Sequence, residues 1–192
     1  GKSINKDLSK RELKIKERKL ILFFGLIRPY KGLDLLIEAA NIIKNKLTDF
    51  KILAIGDCYE NPEPYSKMID KYKINDIFDL RFEFVPHDKV HLYFSASDVI
   101  VLPYKSATQS GIVPVAYHFN KPVIVTNVGG LSEIVQQGNT GYIVEPDSTQ
   151  IADSIIKFYN DSEKINFKEN IKLFNKNFTW EKFIKVIEDV LL

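Results

Sequence analysis

The sequence predicts an α/β domain: a doubly wound, open parallel sheet of about six strands, with helices on both faces and a helical C-terminal tail. Short apolar, β-branched runs alternate with helical patterns along residues 20–144, as βαβ units do. Most of these runs are apolar on both faces, which calls for strands covered by helices on each side. The 192 residues suffice for one domain with a full core and are few for two.

The first strand is Leu20-Ile21-Leu22-Phe23-Phe24, closed by Gly25. Leu33, Leu36, Ile37, Ala40 and Ile43 then fall at helical spacing, with Asp34, Glu38 and Lys44 turned outward. Phe50-Lys51-Ile52-Leu53-Ala54-Ile55 is the second strand, closed by Gly56-Asp57, and a helix through Tyr65, Met68, Ile69 and Tyr72 follows. Residues 80–85 alternate more strongly and suggest a strand toward an edge. A short helix over 87–94 precedes Val99-Ile100-Val101-Leu102. A buried helix over 112–119 precedes Pro122-Val123-Ile124-Val125, and Gly141-Tyr142-Ile143-Val144 closes the sheet. Beyond it, 149–159, 162–175 and 179–191 read as helices. Neither internal repeats nor low-complexity tracts occur.

Composition narrows the function. Hydrophobic residues make up 45% and charged residues 27%, with a net charge of +2, an ordinary globular balance. Acids interleave with bases, so no basic face for a nucleic-acid partner is expected. One run is biased: Lys10, Arg11, Lys14, Lys16, Arg18 and Lys19 outweigh Glu12 and Glu17. It reads as a solvated lead-in rather than a contact for acidic lipid. A lone cysteine, Cys58, forms no internal disulfide, which suits a reducing, cytoplasmic setting. No apolar run reaches a membrane span and no signal-peptide pattern opens the chain. The sequons at Asn160 and Asn177 read as chance.

Parallel sheets of this kind bind ligands beyond the carboxyl ends of their strands, where the strand order reverses. This selects three loops. The first is Gly25-Leu26-Ile27-Arg28-Pro29-Tyr30-Lys31-Gly32. Gly25 permits a sharp turn and close approach to a ligand. Arg28 and Lys31 are cations just ahead of a helix N-terminus, where the dipole disfavours them unless an anion sits between. A solvated loop with incidental charges is the competing reading. No Gly-Lys-Ser/Thr is present, so this is not a Walker loop.

The second loop is Pro103-Tyr104-Lys105-Ser106-Ala107-Thr108-Gln109-Ser110-Gly111, leading to Ile112. Its hydroxyls and glycine suit helix capping, backbone contacts to a diphosphate, or both. The third is Thr126-Asn127-Val128-Gly129-Gly130-Leu131-Ser132-Glu133. Its double glycine fits positive φ or close approach to a ligand equally well, and Ser132 and Glu133 fit the first turn of a following helix. Asp57 fits a turn or the cleft wall. His87, His91 and His118 lack metal-ligand spacing, and His118 reads as an interior histidine. Phe178 and Trp180 read as packing aromatics. No nucleophile–base constellation is discernible.

The three loops in this order resemble the C-terminal, Rossmann-like domain of the family-4-type retaining glycosyltransferases of the GT-B class, the glycosyl transferases group 1. The resemblance spans residues 20–192. It rests on Phe24-Gly25 through Lys31-Gly32, Ala54-Ile55-Gly56-Asp57, Ser97 through Pro103, Lys121-Pro122-Val123-Ile124, Gly129 through Val135, and Phe178-Thr179-Trp180.

The resemblance implies a donor-binding domain for a nucleoside-diphosphate sugar, UDP- or GDP-linked. Residues 1–19 would be the remnant of an interdomain linker, and a separate N-terminal domain would hold a glycan or lipid-linked acceptor. It implies peripheral association with the inner face of a membrane, and no metal or cofactor. Arg28 and Lys31 become the catalytic cations. Gly25, Arg28, Lys31, Thr108, Gln109, Ser110, Gly111, Ile112, Gly129 and Gly130 become the donor contacts.

Two departures stand out. Leu26 occupies the place of the family's usual first-loop arginine, which leaves the role to Arg28. The family's paired glutamates fall on Ala107 and Val115, and a one-residue shift to Thr108 and Ala116 does not restore them. The Ala107-Thr108-Gln109-Ser110-Gly111 loop is similar to that of a bacterial subgroup. A silent nucleotide-sugar-binding module, a sugar-nucleotide epimerase and a pyridoxal-dependent phosphorylase are the alternatives to transfer.

Overall fold

Strand β1 (Lys19–Phe24) alternates its side chains between two apolar layers. Ile21 and Phe23 enter one, while Leu20 and Leu22 enter the other. A strand buried on both faces needs a helical layer on each. The computed structural model describes residues 2–176, and within them that is what forms. Around β1 lie β2 (Phe50–Ile55), β3 (Phe78–Arg81), β4 (Val99–Leu102), β5 (Val123–Thr126) and β6 (Gly141–Val144). All pairings are parallel, in the order β3-β2-β1-β4-β5-β6. The chain steps outward from β1 to β3, then returns to lay β4 against β1. The predicted doubly wound sheet is therefore observed, with its reversal between β1 and β4.

Helices α2 (Leu33–Ile43), α3 (Glu63–Tyr72) and α6 (Ser148–Asp161) cover the first layer. Leu33, Leu36, Ile37, Ala40 and Ile43 of α2 are all fully buried, as the helical spacing predicts. Helices α4 (Val90–Ala96) and α5 (Ile112–His118) cover the second layer. The last described helix, α7 (Phe167–Asn175), puts Phe167 into the first layer and Ile171 into the second, so it crosses from one face to the other. The expected helix over 179–191, with Phe178 and Trp180, lies outside the described residues.

Several boundaries differ from the sequence expectation. The third strand ends at Arg81 rather than running through 85. Its partner β2 ends at Ile55, paired with Arg81, so no backbone remains for residues 82–85 to join. Phe82 and Phe84 are consequently exposed. Helix α4 starts three residues later than expected, after a turn closed by Lys89 N–H donating to Pro86 O. The helix expected from 162 begins at Phe167, where Asn166 Oδ1 caps the Glu169 amide. His118 is exposed rather than interior, since the core face of α5 is Val113, Ala116 and Tyr117. Its ring meets Phe119 edge-on.

The basic lead-in is solvated only in part: Arg11, Lys14, Lys16 and Arg18 are exposed, but its backbone packs on the domain. Helix α1 (Lys6–Glu12) forms within it, capped by Asn5 Oδ1, which accepts from the Asp7 and Leu8 amides. It packs on α4, while Leu13 and Ile15 enter the second layer. The buried Lys10 amine donates to Glu17 O and Arg18 O, and Lys6 pairs with Asp98. Asp98 in turn accepts from the Leu20 amide at 2.8 Å. Lys121 joins this polar seam by donating to Ser95 O and Ser97 O at the end of α4. Burial lowers its pKa to about 8.

Two glycines let the carboxyl-end loops close on one another. Gly32, at φ +67°, would put a Cβ 1.9 Å from Pro103 O, and Gly129, at φ +51°, would put one 1.7 Å from Ala107 O. Gly32→Ala combines a left-handed backbone with a backbone clash, and should lower the unfolding free energy by about 2 kcal/mol or more. Gly111 has open space around it and φ −65°; Gly111→Ala should leave stability unchanged or raise it by about 0.5 kcal/mol. Urea unfolding of the two variants checks the contrast.

Candidate functional site

The site lies where the sheet order reverses, at the carboxyl ends of β1 and β4. After β1, a single 3-10 turn (Pro29–Lys31) ends at Gly32, from which α2 starts. Proline presets the φ of that turn, and Arg28 precedes it in extended backbone. Lys31 therefore points across to the β4 loop. Its amine donates to Tyr104 Oη at 2.7 Å and stands 4.4 Å from the ring centroid, a cation–π contact as well as a hydrogen bond. Tyr104 is 1% exposed and continues to Ser110, whose Oγ lies 3.3 Å from Tyr104 Oη. Ser110 Oγ also accepts the Ile112 amide, the first of α5, at 3.2 Å, while the N-cap residue itself is Gly111, which has no side chain to cap with.

The β4 loop is stitched on both sides. Lys105 N–H donates to Tyr30 O at 2.7 Å, and its amine pairs with Asp34 in the first turn of α2. Thr126 Oγ1 donates to Tyr104 O at 2.6 Å, and Gly130 N–H donates to Thr108 O at 2.9 Å. The double glycine is thus explained by loop-to-loop packing, and the Gly130 amide is already engaged. No α-helix follows it: a 3-10 turn (Gly129–Leu131) ends at Ser132.

Between these loops opens a hollow of about 480 Å³, lined by Tyr30, Lys31, Tyr104, Ser106, Ala107, Thr108 and Gln109. A second, of about 270 Å³, adjoins β1 and β2 and is lined by Phe24, Gly25, Leu26, Ile55, Gly56, Asp57, Tyr59, Phe84 and Val85. Gly25, at φ +110°, and Gly56 touch at this junction: a Cβ on Gly56 would lie 1.9 Å from Gly25 O. The structure brings Lys31, Thr108 and Gln109 to one hollow, and Gly25 and Asp57 to the other. A Cβ on Gly25 would lie 3.5 Å from Ile112 Cδ1, so Ile112 stands beside Gly25, although it lines neither hollow. A hollow of about 490 Å³ beside α3 lies at the amino ends of β2 and β3, the wrong end for ligand binding in such sheets.

Electrostatics single out two of the three loop cations. Lys105 is neutralised by Asp34. Among the described residues, neither Arg28 nor Lys31 has a carboxylate partner. Burial holds the Lys31 pKa below its ordinary value, and the nearby Arg28 charge pushes the same way. A half-buried cation beside a second one, neither paired with a carboxylate among the described residues, is destabilising alone and suited to an anion. Tyr104, pushed up in pKa by burial, was not singled out from the sequence. The available signal was a tyrosine directly after a strand end, whose hydroxyl must find a partner once its ring is buried. Among the described residues no group of three or more His, Cys, Asp or Glu is placed to hold a metal ion. None of the described helices is long and apolar enough to cross a membrane.

The strand order and the carboxyl-edge loops define a Rossmann-like domain of the kind that forms one half of a GT-B protein. The chain belongs to the family "Glycosyl transferases group 1", whose profile matches residues 5–185. It is 32% identical over 172 residues to an uncharacterised glycosyltransferase of Methanocaldococcus jannaschii, covering 88% of this chain and 46% of that protein. It is 29% identical over 183 residues to the lipopolysaccharide 1,2-N-acetylglucosaminetransferase of Salmonella typhimurium, covering 88% and 47%. The chain thus spans about half the length of these curated relatives.

Among solved structures, the C-terminal domain of a glycosyl transferase group 1 protein of Francisella tularensis superposes with a TM-score of 0.81 at 23% identity, covering 92% of this chain and 93% of that one. Anabaena HepE in complex with UDP gives 0.78 at 17% identity, covering 98% and 55%.

If Lys31 meets an anion, Lys31→Ala should weaken nucleoside-diphosphate binding by roughly 1.5–3 kcal/mol. The anion favours the charged amine, whose folded pKa lies below 10.5. Affinity should therefore fall as pH rises, beginning below that value. Titration calorimetry across the alkaline range checks both statements.

Proposed function

We propose that the chain is the donor-binding half of a glycosyltransferase. It takes a nucleoside-diphosphate sugar, and the complete protein transfers the glycosyl unit with retention to a polysaccharide or lipid-linked acceptor. The carrying observation is the pair Arg28 and Lys31, without carboxylate partners among the described residues, at the carboxyl-end reversal of a group 1 domain. The UDP bound by the Anabaena neighbour and the sugar transfer named for the Salmonella relative support the ligand class.

In this reading the diphosphate lies against Lys31 and the Ser110–Gly111 segment, and the nucleoside extends toward the hollow at Gly25. Arg28 and Lys31 offset charge as it develops on the leaving diphosphate, in a site that needs no reorganisation to receive it. Thr108 and Gln109 offer neutral hydrogen bonds where the resemblance places a glutamate. A partner domain supplies the acceptor and any group acting on it, at the cytoplasmic face of a membrane. The transferred group arrives on the nucleotide, so no cofactor takes part.

One observation favours a second reading. Ala107 and Val115 carry no carboxylate, so a module that binds the donor without turning it over is the competitor. Ligand-observed NMR of the 192-residue chain with UDP, GDP, ADP and their sugars tests the first step, with Arg28→Ala/Lys31→Ala as control. Binding of one nucleotide that disappears in the control supports the donor site. Binding that survives the control removes both cations from it. Release of nucleoside diphosphate by the complete protein, with a glycosylated acceptor, separates transfer from silent binding.

A further inference from the structure

Tyr104 occupies an unusual place for a buried tyrosine. Its ring closes the floor of the hollow between the β1 and β4 loops, and its hydroxyl has two polar neighbours among the described residues, Lys31 Nζ and Ser110 Oγ. Chemistry fixes the direction of the first of these bonds, while in the second either hydroxyl can donate. An ammonium only donates, so Tyr104 Oη accepts from Lys31. When Tyr104 is the donor of the second bond, its hydrogen goes to Ser110 Oγ. That oxygen also accepts the Ile112 amide. In that arrangement both lone pairs of Ser110 are engaged and its hydroxyl hydrogen donates outward, with a positive charge behind it along the chain.

We propose that Tyr104 is a positioning residue of the anion site: it fixes the Lys31 amine by ring and hydroxyl, and it turns the Ser110 hydroxyl hydrogen toward a ligand oxygen. This rests on the reading of the hollow as a diphosphate site. The arrangement explains why a tyrosine is needed where phenylalanine would pack equally well. It also couples the β1-loop cation to the β4-loop hydroxyl, since Tyr104 Oη is the group that both contact. The charged and titratable groups around Lys31 are Arg28 and Tyr30 of its own loop and Tyr104 opposite, with the Lys105–Asp34 pair beyond.

The test is a double-mutant cycle on the 192-residue chain, with UDP as probe and Tyr104→Phe, Ser110→Ala, both together, and Lys31→Ala as variants. Thermal unfolding of each variant monitors the fold. Tyr104→Phe and Ser110→Ala should each weaken UDP binding about tenfold, and the pair no more than the worse single change. The hydroxyl stabilises the charged amine, so the pH at which affinity is lost should move down in Tyr104→Phe, a shift that a purely packing role would not produce. Losses that multiply, or an unmoved pH profile, overturn the relay. Full affinity in Tyr104→Phe beside a weakened Lys31→Ala overturns the role of Tyr104 and leaves the donor site standing. Full affinity in Lys31→Ala overturns both.

Discussion

The carboxyl edge of this domain depends on how closely the backbone after β4 approaches the loops on either side. Pro103 O lies where a side chain on Gly32 would be, and Ala107 O lies where one on Gly129 would be. Those approaches seat the β4 loop between the β1 and β5 loops, and the hydrogen bonds from Lys105, Thr126 and Gly130 follow from them. Tyr104 is buried because this seating leaves no path to solvent. Lys31 can reach it because Pro29 and Gly32 fix the turn between them.

The opposite edge is held by a different kind of interaction. Lysine amines there do not face solvent but cap carbonyls: Lys10 those of Glu17 and Arg18, and Lys121 those of Ser95 and Ser97. Asp98 balances them through Lys6 and the Leu20 amide. Charge is thus used at the amino edge to fasten α1 and α4 to the sheet. At the carboxyl edge two cations are left without a carboxylate among the described residues. The same residue type serves packing in one place and, in the function proposed, recognition in the other, and only the surrounding acceptors distinguish them.

The fold was legible because its signals are local. β-Branched runs, helical spacing in α2 and the glycines after β1 and β2 each act within a few residues. The length of β3 was not, since it is set by where β2 ends, a fact about a partner strand. Helix α1 was missed because its basic residues suggested solvent, although Asn5 and Asp7 form an ordinary capped start and Leu13 and Ile15 mark the buried side. In the site, Lys31, Thr108 and Gln109 were readable from their place after strands. Tyr104 was not, because its importance comes from residues 73 and 6 positions away. The double glycine was read as equally suited to a ligand and to backbone geometry, and contacts between loops explain it.

The seating of the β4 loop has a consequence for how such a site diversifies. With its backbone wedged against Gly32 on one side and Gly129 on the other, the segment has no slack for insertion or deletion. Ser106, Thr108 and Gln109, by contrast, project from it and are exposed. New ligand preferences are therefore accessible by exchanging those side chains on a constant frame, and an engineer would hold the loop length fixed and vary its exposed letters.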